Sequence, residues 1–375
     1  MKTTKVLYFS SVIIFVLITF SLCSNQTTKE SLQENNKVNE PKNTGNVKNI
    51  ILLIGDGMGI AQVTAAYTSN LKPLNMERCT VVGLHKTSSS DQYVTDSGAG
   101  GTALATGSKT KNGYIGVSSD KQPVKTILEY AEENGLSTGL VATSSITHAT
   151  PASFIAHVPD RNNYDLIALD FLKTDVDVFI GGGEKFFNKR ADNKDLVAQL
   201  ITKNYQVVKT LEDLKNIKSG KIAALLAQEH MPTIAAQRGD MLSVSTQKAL
   251  EILSQNEKGF FVMIEGSQID WANHKNDYKY MVEETLDFDK AVGVAMDFAD
   301  KDGNTLVIVT ADHESGGLTL LGGNLKTGET KANFSTINHS ATMVGVFAYG
   351  KGAELFGGIY ENTEVFVRMK KSFGF

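Results

Sequence analysis

Cysteine is almost absent from this 375-residue chain, with Cys23 and Cys79 the whole complement. A scaffold built on disulfides is therefore excluded, and stability must come from core packing and, where ligands converge, from bound ions. Lysine and arginine form no block, and the formal net charge is −4. The electrostatic footprint of a nucleic-acid-binding protein is missing. The apolar run of residues 6–22 is short for a membrane span and contains no acid. With Lys2 and Lys5 ahead of it, residues 1–22 read as an export signal. Cys23 stands where an acylated lipoprotein cysteine would stand, although Leu22 is bulkier than the small residue usual before one. A lipid anchor and simple export both stay open. Residues 23–48 form a polar tether without apolar periodicity.

Beyond the tether lies ordinary globular sequence, the whole chain being 41% apolar and 21% charged. Apolar runs at 50–54, 137–142, 176–180, 222–227, 260–264, 306–310 and 343–348 alternate with helical patterns such as 124–134 and 278–301. That alternation predicts an α/β fold: a three-layer α/β/α sandwich around a central, mainly parallel sheet. No internal repeat and no later Pro/Gly/Ser linker divides residues 49–375, so one catalytic domain is expected.

Three of the runs end abruptly in metal-type ligands. Residues 305–314 read Thr-Leu-Val-Ile-Val-Thr-Ala-Asp-His-Glu, delivering Asp312 and His313 at a strand tip. Residues 49–54 run into Gly55-Asp56-Gly57, and residues 260–264 into Glu265-Gly266. Open α/β sheets place their chemistry at the carboxyl ends of strands, so the three tips point to one shared site. Asp270 and His274 lie at helical i, i+4 spacing and share a face able to hold one metal. His339 offers a further imidazole before the last strand. Ser97 precedes a run of small residues able to wind into a helix, whose N-terminus suits an anion.

Gly55-Asp56-Gly57-Met58-Gly59, Thr95-Asp96-Ser97, Thr147-His148-Ala149-Thr150-Pro151-Ala152, Glu265-Gly266-Ser267-Gln268-Ile269-Asp270, Thr310-Ala311-Asp312-His313-Glu314 and Asn338-His339, taken in order, resemble the alkaline phosphatases. The resemblance spans roughly residues 48–350. It implies that Asp270, His274 and His339 bind one zinc ion, and that Asp56, Asp312 and His313 bind a second, which also holds Ser97 as its alkoxide. It further implies a magnesium site of Asp56, Thr150 and Glu265, with Asp56 shared, and a phosphate clamp at Arg161. The implied reaction is hydrolysis of small phosphate monoesters. Ser97 attacks phosphorus, and hydroxide on the first zinc then cleaves the phosphoserine.

The chain departs from the family pattern in four places. His148 stands where some members carry a carboxylate beside magnesium; it is expected in the outer shell, and it opens that site to zinc. Trp271 replaces a lysine or histidine and is expected to shape the pocket wall. Gly98, Gly100 and Gly101 are expected to loosen the helix behind Ser97. The interval between His313 and His339 is short, so the crown insertion of many relatives is reduced or absent; monomer and dimer both stay open. His85, His157 and His230 lie outside the motifs and are assigned structural roles.

The competing enzyme is a phosphodiesterase of the same superfamily, against which Glu265 and Arg161 argue. No Cys-x-Pro-x-Arg supports a sulfatase. The non-enzyme alternative, an exported metal- or phosphate-binding lipoprotein, conflicts with retention of Ser97 and a full ligand set. The expected location is the periplasm, free or anchored to the membrane as a lipoprotein.

Overall fold

The structure, a computed structural model, describes residues 46–375. The expected export signal at 1–22, Cys23 and the tether up to residue 45 lie outside the described residues. Val47 already packs into the core, its N–H donating to the Ser372 carbonyl at 2.8 Å.

The strands, in chain order, are β1 (Asn49–Gly55), β2 (Val81–Lys86), β3 (Ser137–Ser145), β4 (Val178–Gly182), β5 (Tyr205–Val208), β6 (Lys221–Ala227), β7 (Phe260–Gly266), β8 (Thr305–Thr310), β9 (Glu314–Ser315), β10 (Leu318–Asn324), β11 (Glu329–Phe334), β12 (His339–Ser340), β13 (Val344–Gly350) and β14 (Gly358–Glu361). Ten of them build one sheet in the order β14-β2-β13-β8-β1-β7-β3-β4-β6-β5. Every neighbouring pair is parallel except those of β13, which runs antiparallel to both β2 and β8.

Strand β1 explains the layering. All seven of its residues are buried, as a parallel strand covered on both faces requires. Ile50, Leu52 and Ile54 join the core under helices Ser97–Thr106, Ile127–Glu133, Tyr164–Asp170 and Thr363–Phe373. Ile51 and Leu53 join the opposite core, under Ile60–Asn70, Met241–Leu253, Gln268–His274 and Tyr278–Asp302. The expected three-layer α/β/α sandwich is the observed fold.

The two edge strands, β14 and β5, and β2 beside β14 escaped sequence reading because each is short and partly solvent-facing. The helical pattern at 124–134 is trimmed to Ile127–Glu133. Thr126 caps it, its hydroxyl oxygen accepting from the Glu129 N–H at 3.2 Å, while the Glu129 carboxylate accepts from the Thr126 N–H at 2.8 Å. Between His313 and His339 the chain forms only the β10–β11 hairpin and the two-residue β9–β12 ladder.

Candidate active site

Register delivers the ligands. Ile54 pairs with Glu265 of β7 and with Thr310 of β8, so β1, β7 and β8 reach their carboxyl ends together. Asp56, Glu265, Asp312 and His313 therefore emerge at the centre of one sheet edge, and all four are fully buried. Helix Gln268–His274 starts just beyond β7 and presents Asp270 and His274 on one face, as the i, i+4 spacing predicts. The β9–β12 ladder, pairing His339 with Ser315, folds His339 back over this helix.

Three groups of donors converge, each with its ligand atoms within 4.8 Å of one another: Asp270, His274 and His339; Asp56, Asp312 and His313; and Asp56, His148 and Glu265. In the first, His274 Nε2 lies 3.2 Å from Asp270 Oδ2 and 3.1 Å from His339 Nε2. In the second, His313 Nε2 lies 3.2 Å from Asp312 Oδ2 and 3.5 Å from Asp56 Oδ1. In the third, the Thr150 hydroxyl donates to Asp56 Oδ2 at 3.4 Å. His148 is brought closer than expected: its ring belongs to the donor group itself, and its Nδ1 is buried without a partner.

Ser97 opens helix Ser97–Thr106, every residue of which is buried. Its Oγ stands 3.2 Å from His313 Nε2. Asp96 caps the helix, accepting from the Ala99 N–H at 2.9 Å. The glycines expected to loosen this helix also answer a packing demand. A Cβ on Gly100 would meet the Asp312 carbonyl at 3.1 Å, and one on Gly101 the Ser153 hydroxyl at 3.0 Å. Glycine lets the helix lie this close to Asp312 and to the Thr150 turn without displacing either neighbour.

Arg161 donates to Asp96 Oδ2 at 2.8 Å, the one hydrogen bond its guanidinium makes among the described residues. Its charge is felt at Asp56, His148, His274 and His313, so it stands within electrostatic reach of all three groups. Trp271 packs edge-on to His230 and His148, with ring centroids 4.7 and 5.8 Å apart. His230 thus joins the pocket wall rather than a remote structural position; Ser145 N donates to its Nδ1 at 3.0 Å. His85 braces the tip of β8 through the Ala311 carbonyl, 3.0 Å from Nε2.

The electrostatics ask for cations. Burial and the negative charges of Asp312, Asp270 and Glu265 push Asp56 well above the usual carboxylate range. Burial pushes Glu265 up to about 7 against hydrogen bonds from Ser267 and Thr150, and burial with the Asp270 charge pushes Asp312 up to about 6. Burial also drives His148 down to about 3 and His313 well below its ordinary value, leaving both rings neutral and able to donate a nitrogen lone pair. His274 is held at about 9 by its hydrogen bond to Asp270. Asp270 lies far below the usual range: burial pushes it up, but the hydrogen bond from His274 and the neighbouring imidazole charge outweigh that. Asp56 Oδ1, Glu265 Oε1 and Asp312 Oδ2 have no hydrogen-bond partner although buried. Stranded acceptors of this kind are costly, and a cation between them supplies what each lacks. Mixed imidazole and carboxylate donors suit zinc, whereas carboxylates with a hydroxyl suit magnesium.

Sequence reading missed the supporting roles of Asp96, Ser144, Ser267 and Ser315. The Ser267 and Ser144 hydroxyls donate to Glu265 Oε2 at 2.7 and 3.3 Å, and Ser315 donates to Asp270. The position of Asp96 and Ser267 inside the family-type motifs was the available signal.

A helix-borne serine among three cation-type donor groups, at the carboxyl edge of a parallel sheet, defines a metal-dependent hydrolase. The chain belongs to the alkaline phosphatase family, whose model, described as alkaline phosphatase, matches residues 47–333. It is 39% identical to alkaline phosphatase 3 of Bacillus subtilis, the match covering 80% of this chain and 67% of that relative. It is 33% identical to the alkaline phosphatase of Escherichia coli, covering 87% and 86%. The solved alkaline phosphatase of the Antarctic bacterium TAB5 superposes with a TM-score of 0.84 at 45% identity, covering 88% of this chain and 99% of that one. Two variants of the TAB5 enzyme, with a histidine replaced by aspartate or glutamate, have magnesium bound in its M3 site.

Proposed function

We propose that this phosphatase hydrolyses phosphate monoesters through a phosphoserine on Ser97. Asp270, His274 and His339 would hold one zinc ion, Asp56, Asp312 and His313 a second, and Asp56, Thr150 and Glu265 a magnesium ion. The observation that carries the reading is Ser97 Oγ, 3.2 Å from His313 Nε2, at the head of a buried helix among all three groups. When bound, the metal ions favour the ionised forms of the serine hydroxyl and of water, and they neutralise charge on the transferring phosphoryl group.

The side chains do the rest. Ser97 Oγ forms a bond to phosphorus as the ester oxygen leaves and takes up a proton as alcohol. Water then attacks the phosphoserine, releasing phosphate and restoring the hydroxyl. The free N–H groups at the head of helix Ser97–Thr106 favour the anion. Arg161 grips two phosphoryl oxygens with the N–H groups it does not give to Asp96. Trp271 forms a wall that carries no charge. His148 adds a nitrogen donor to the third group, which opens that site to zinc as well as magnesium; the TAB5 variants, where an acid in place of a histidine accompanies bound magnesium, support a role for this kind of donor in the choice.

Residues 1–22 would direct export, with the mature chain periplasmic or anchored as a lipoprotein at Cys23. The chain acts as a monomer or dimer. A phosphodiesterase reading has less support, because Glu265 and Arg161 suit a substrate with a free terminal phosphoryl group.

The test compares p-nitrophenyl phosphate with bis-p-nitrophenyl phosphate, alongside mass spectrometry of acid-quenched enzyme. Monoester preference and a phosphate on Ser97 are expected, both lost in Ser97→Ala. Diester preference, or full activity in Ser97→Ala, would sink the reading. Elemental analysis finding a single metal per chain would contradict the ligand assignment.

A further inference from the structure

His157 precedes Arg161 in the loop ahead of helix Tyr164–Asp170, and both its ring nitrogens face groups that only accept. Nδ1 lies 2.6 Å from the Gly116 carbonyl oxygen, and Nε2 lies 3.0 Å from the Glu129 carboxylate. A ring nitrogen facing an acceptor must carry a proton, so this environment is built for the imidazolium. Glu129 is its anionic partner, since its other oxygen already accepts the Thr126 N–H at 2.8 Å. Burial alone would push His157 down; its bonds to Glu129 and Gly116 outweigh that and hold it above its ordinary value.

The two attachments bind the loop to the segment that sets Arg161. Ile115 and Val158 exchange backbone hydrogen bonds at 3.0 and 2.9 Å, and Arg161 N–H donates to the Gly113 carbonyl at 2.8 Å. Gly113 N–H in turn donates at 2.9 Å to Asp96 Oδ2, the oxygen that also receives the Arg161 guanidinium. A Cβ on Gly116 would stand 2.0 Å from the Ala156 carbonyl oxygen, so residues 113–116 and the Arg161 loop touch backbone to backbone.

We propose that His157, as imidazolium, is a positioning residue that fastens the Arg161 loop to residues 113–116 and to helix Ile127–Glu133, and that losing its proton as pH rises loosens the loop and weakens phosphate binding. The proposal rests on Arg161 being the phosphate clamp. Glu129, Glu132 and Glu133 face the ring's surroundings from one helix, and Asp170 from another, where its Oδ2 accepts the His157 N–H at 3.0 Å. Lys125 pairs with Glu133, and Lys173 with Asp170 at 2.6 Å. These groups line a cleft of about 470 Å³ open to solvent, through which the proton exchanges. A proton held more tightly in the fold stays bound below the folded pKa and leaves as pH rises through it.

The experiment uses metal-loaded enzyme, p-nitrophenyl phosphate as substrate and inorganic phosphate as competitive inhibitor, from about pH 6 to pH 10. His157→Gln is expected to raise KM and the phosphate inhibition constant together, about tenfold at neutral pH, with kcat within about threefold. It is also expected to flatten the rise of that inhibition constant with pH that the proposal predicts for the unmodified enzyme. Glu129→Gln moves the rise to lower pH. In an Arg161→Ala background His157→Gln adds nothing, because it acts through that residue. A folded His157→Gln enzyme with unchanged inhibition constant overturns the proposal, as does an effect that persists without Arg161. Should His157→Gln not fold, Glu129→Gln decides: an unmoved rise overturns it. If Arg161→Ala itself leaves phosphate inhibition unchanged, the clamp reading falls first and takes this proposal with it.

Discussion

Gly100→Ala offers the most direct check on how Ser97, the proposed nucleophile, is set. Alanine in a helix interior normally stabilises relative to glycine by about 0.5–1 kcal/mol. Here the new Cβ would lie 3.1 Å from the Asp312 carbonyl oxygen and 3.2 Å from the Asp312 Cβ, so one element must yield by a few tenths of an ångström. Asp312 has little room to yield, because it stands two residues beyond β8, which pairs with β1 along its whole length, and its Oδ1 accepts the Gly57 N–H at 3.3 Å. Helix Ser97–Thr106 must shift instead, carrying Ser97 away from His313. Overpacking costs about 1–3 kcal/mol, so net stability changes by about 2 kcal/mol at most and Tm by a few degrees. Misplacing a reacting group by 1 Å costs on the order of a hundredfold; a few tenths should cost about three- to tenfold in kcat/KM. The assay is kcat/KM on p-nitrophenyl phosphate, with Tm and zinc content measured on the same sample. Unchanged kcat/KM would refute the argument that glycine sets this distance. A loss of more than about 10 °C in Tm would refute it differently, by showing that the whole fold is damaged.

Two further outcomes are expected. Burial pushes Glu132 from 4.5 up to about 7, beside Asp175 and Asp177. Its folded pKa exceeds its unfolded one, so stability falls as pH rises from about 4.5 to about 7 and stays lower above that. The shift sets a ceiling of ~3 kcal/mol, reduced to about 1–2 kcal/mol by partial solvent access. Glu132→Gln should therefore raise Tm at pH 8 relative to the unmodified protein but not at pH 5; equal effects at both would refute the assignment. Removing divalent cations with a chelator leaves Asp56, Glu265 and Asp312 unscreened and buried. Tm should drop and recover with zinc and magnesium, by about 3 kcal/mol of stability at a hundredfold excess over Kd. An unmoved Tm after verified metal removal would count against cation sites here.

Strand cores and ligands were the legible part, for one reason: a fully buried strand has a continuous apolar signature, and the polar residue ending it is conspicuous. Asp56, Glu265, Asp312 and His313 announce themselves that way. Strands β2 and β14 carry mixed polarity at the sheet margin, and nothing local marks β13 as antiparallel. Distant contacts were equally silent. That Gly100 abuts Asp312, that Asp96 holds Arg161, and that His148 reaches the Asp56–Glu265 group all depend on which tips the topology gathers. A histidine, read alone, carries no sign of whether it faces an acceptor, a ring or an acid.

The β9–β12 ladder is two residues long, and around it Ile337, Asn338, Thr342 and Met343 face solvent. Asp270 and His274, by contrast, ride on a helix rooted against the central strands. The first donor group therefore spans regions of unequal local stability, and thin, exposed ladders open at a fraction of the global unfolding free energy. Warming should thus detach His339 while the sheet still stands, so the catalyst fails ahead of the fold. Inactivation measured by initial rate should precede the loss of circular dichroism, and coincident curves would rule this out.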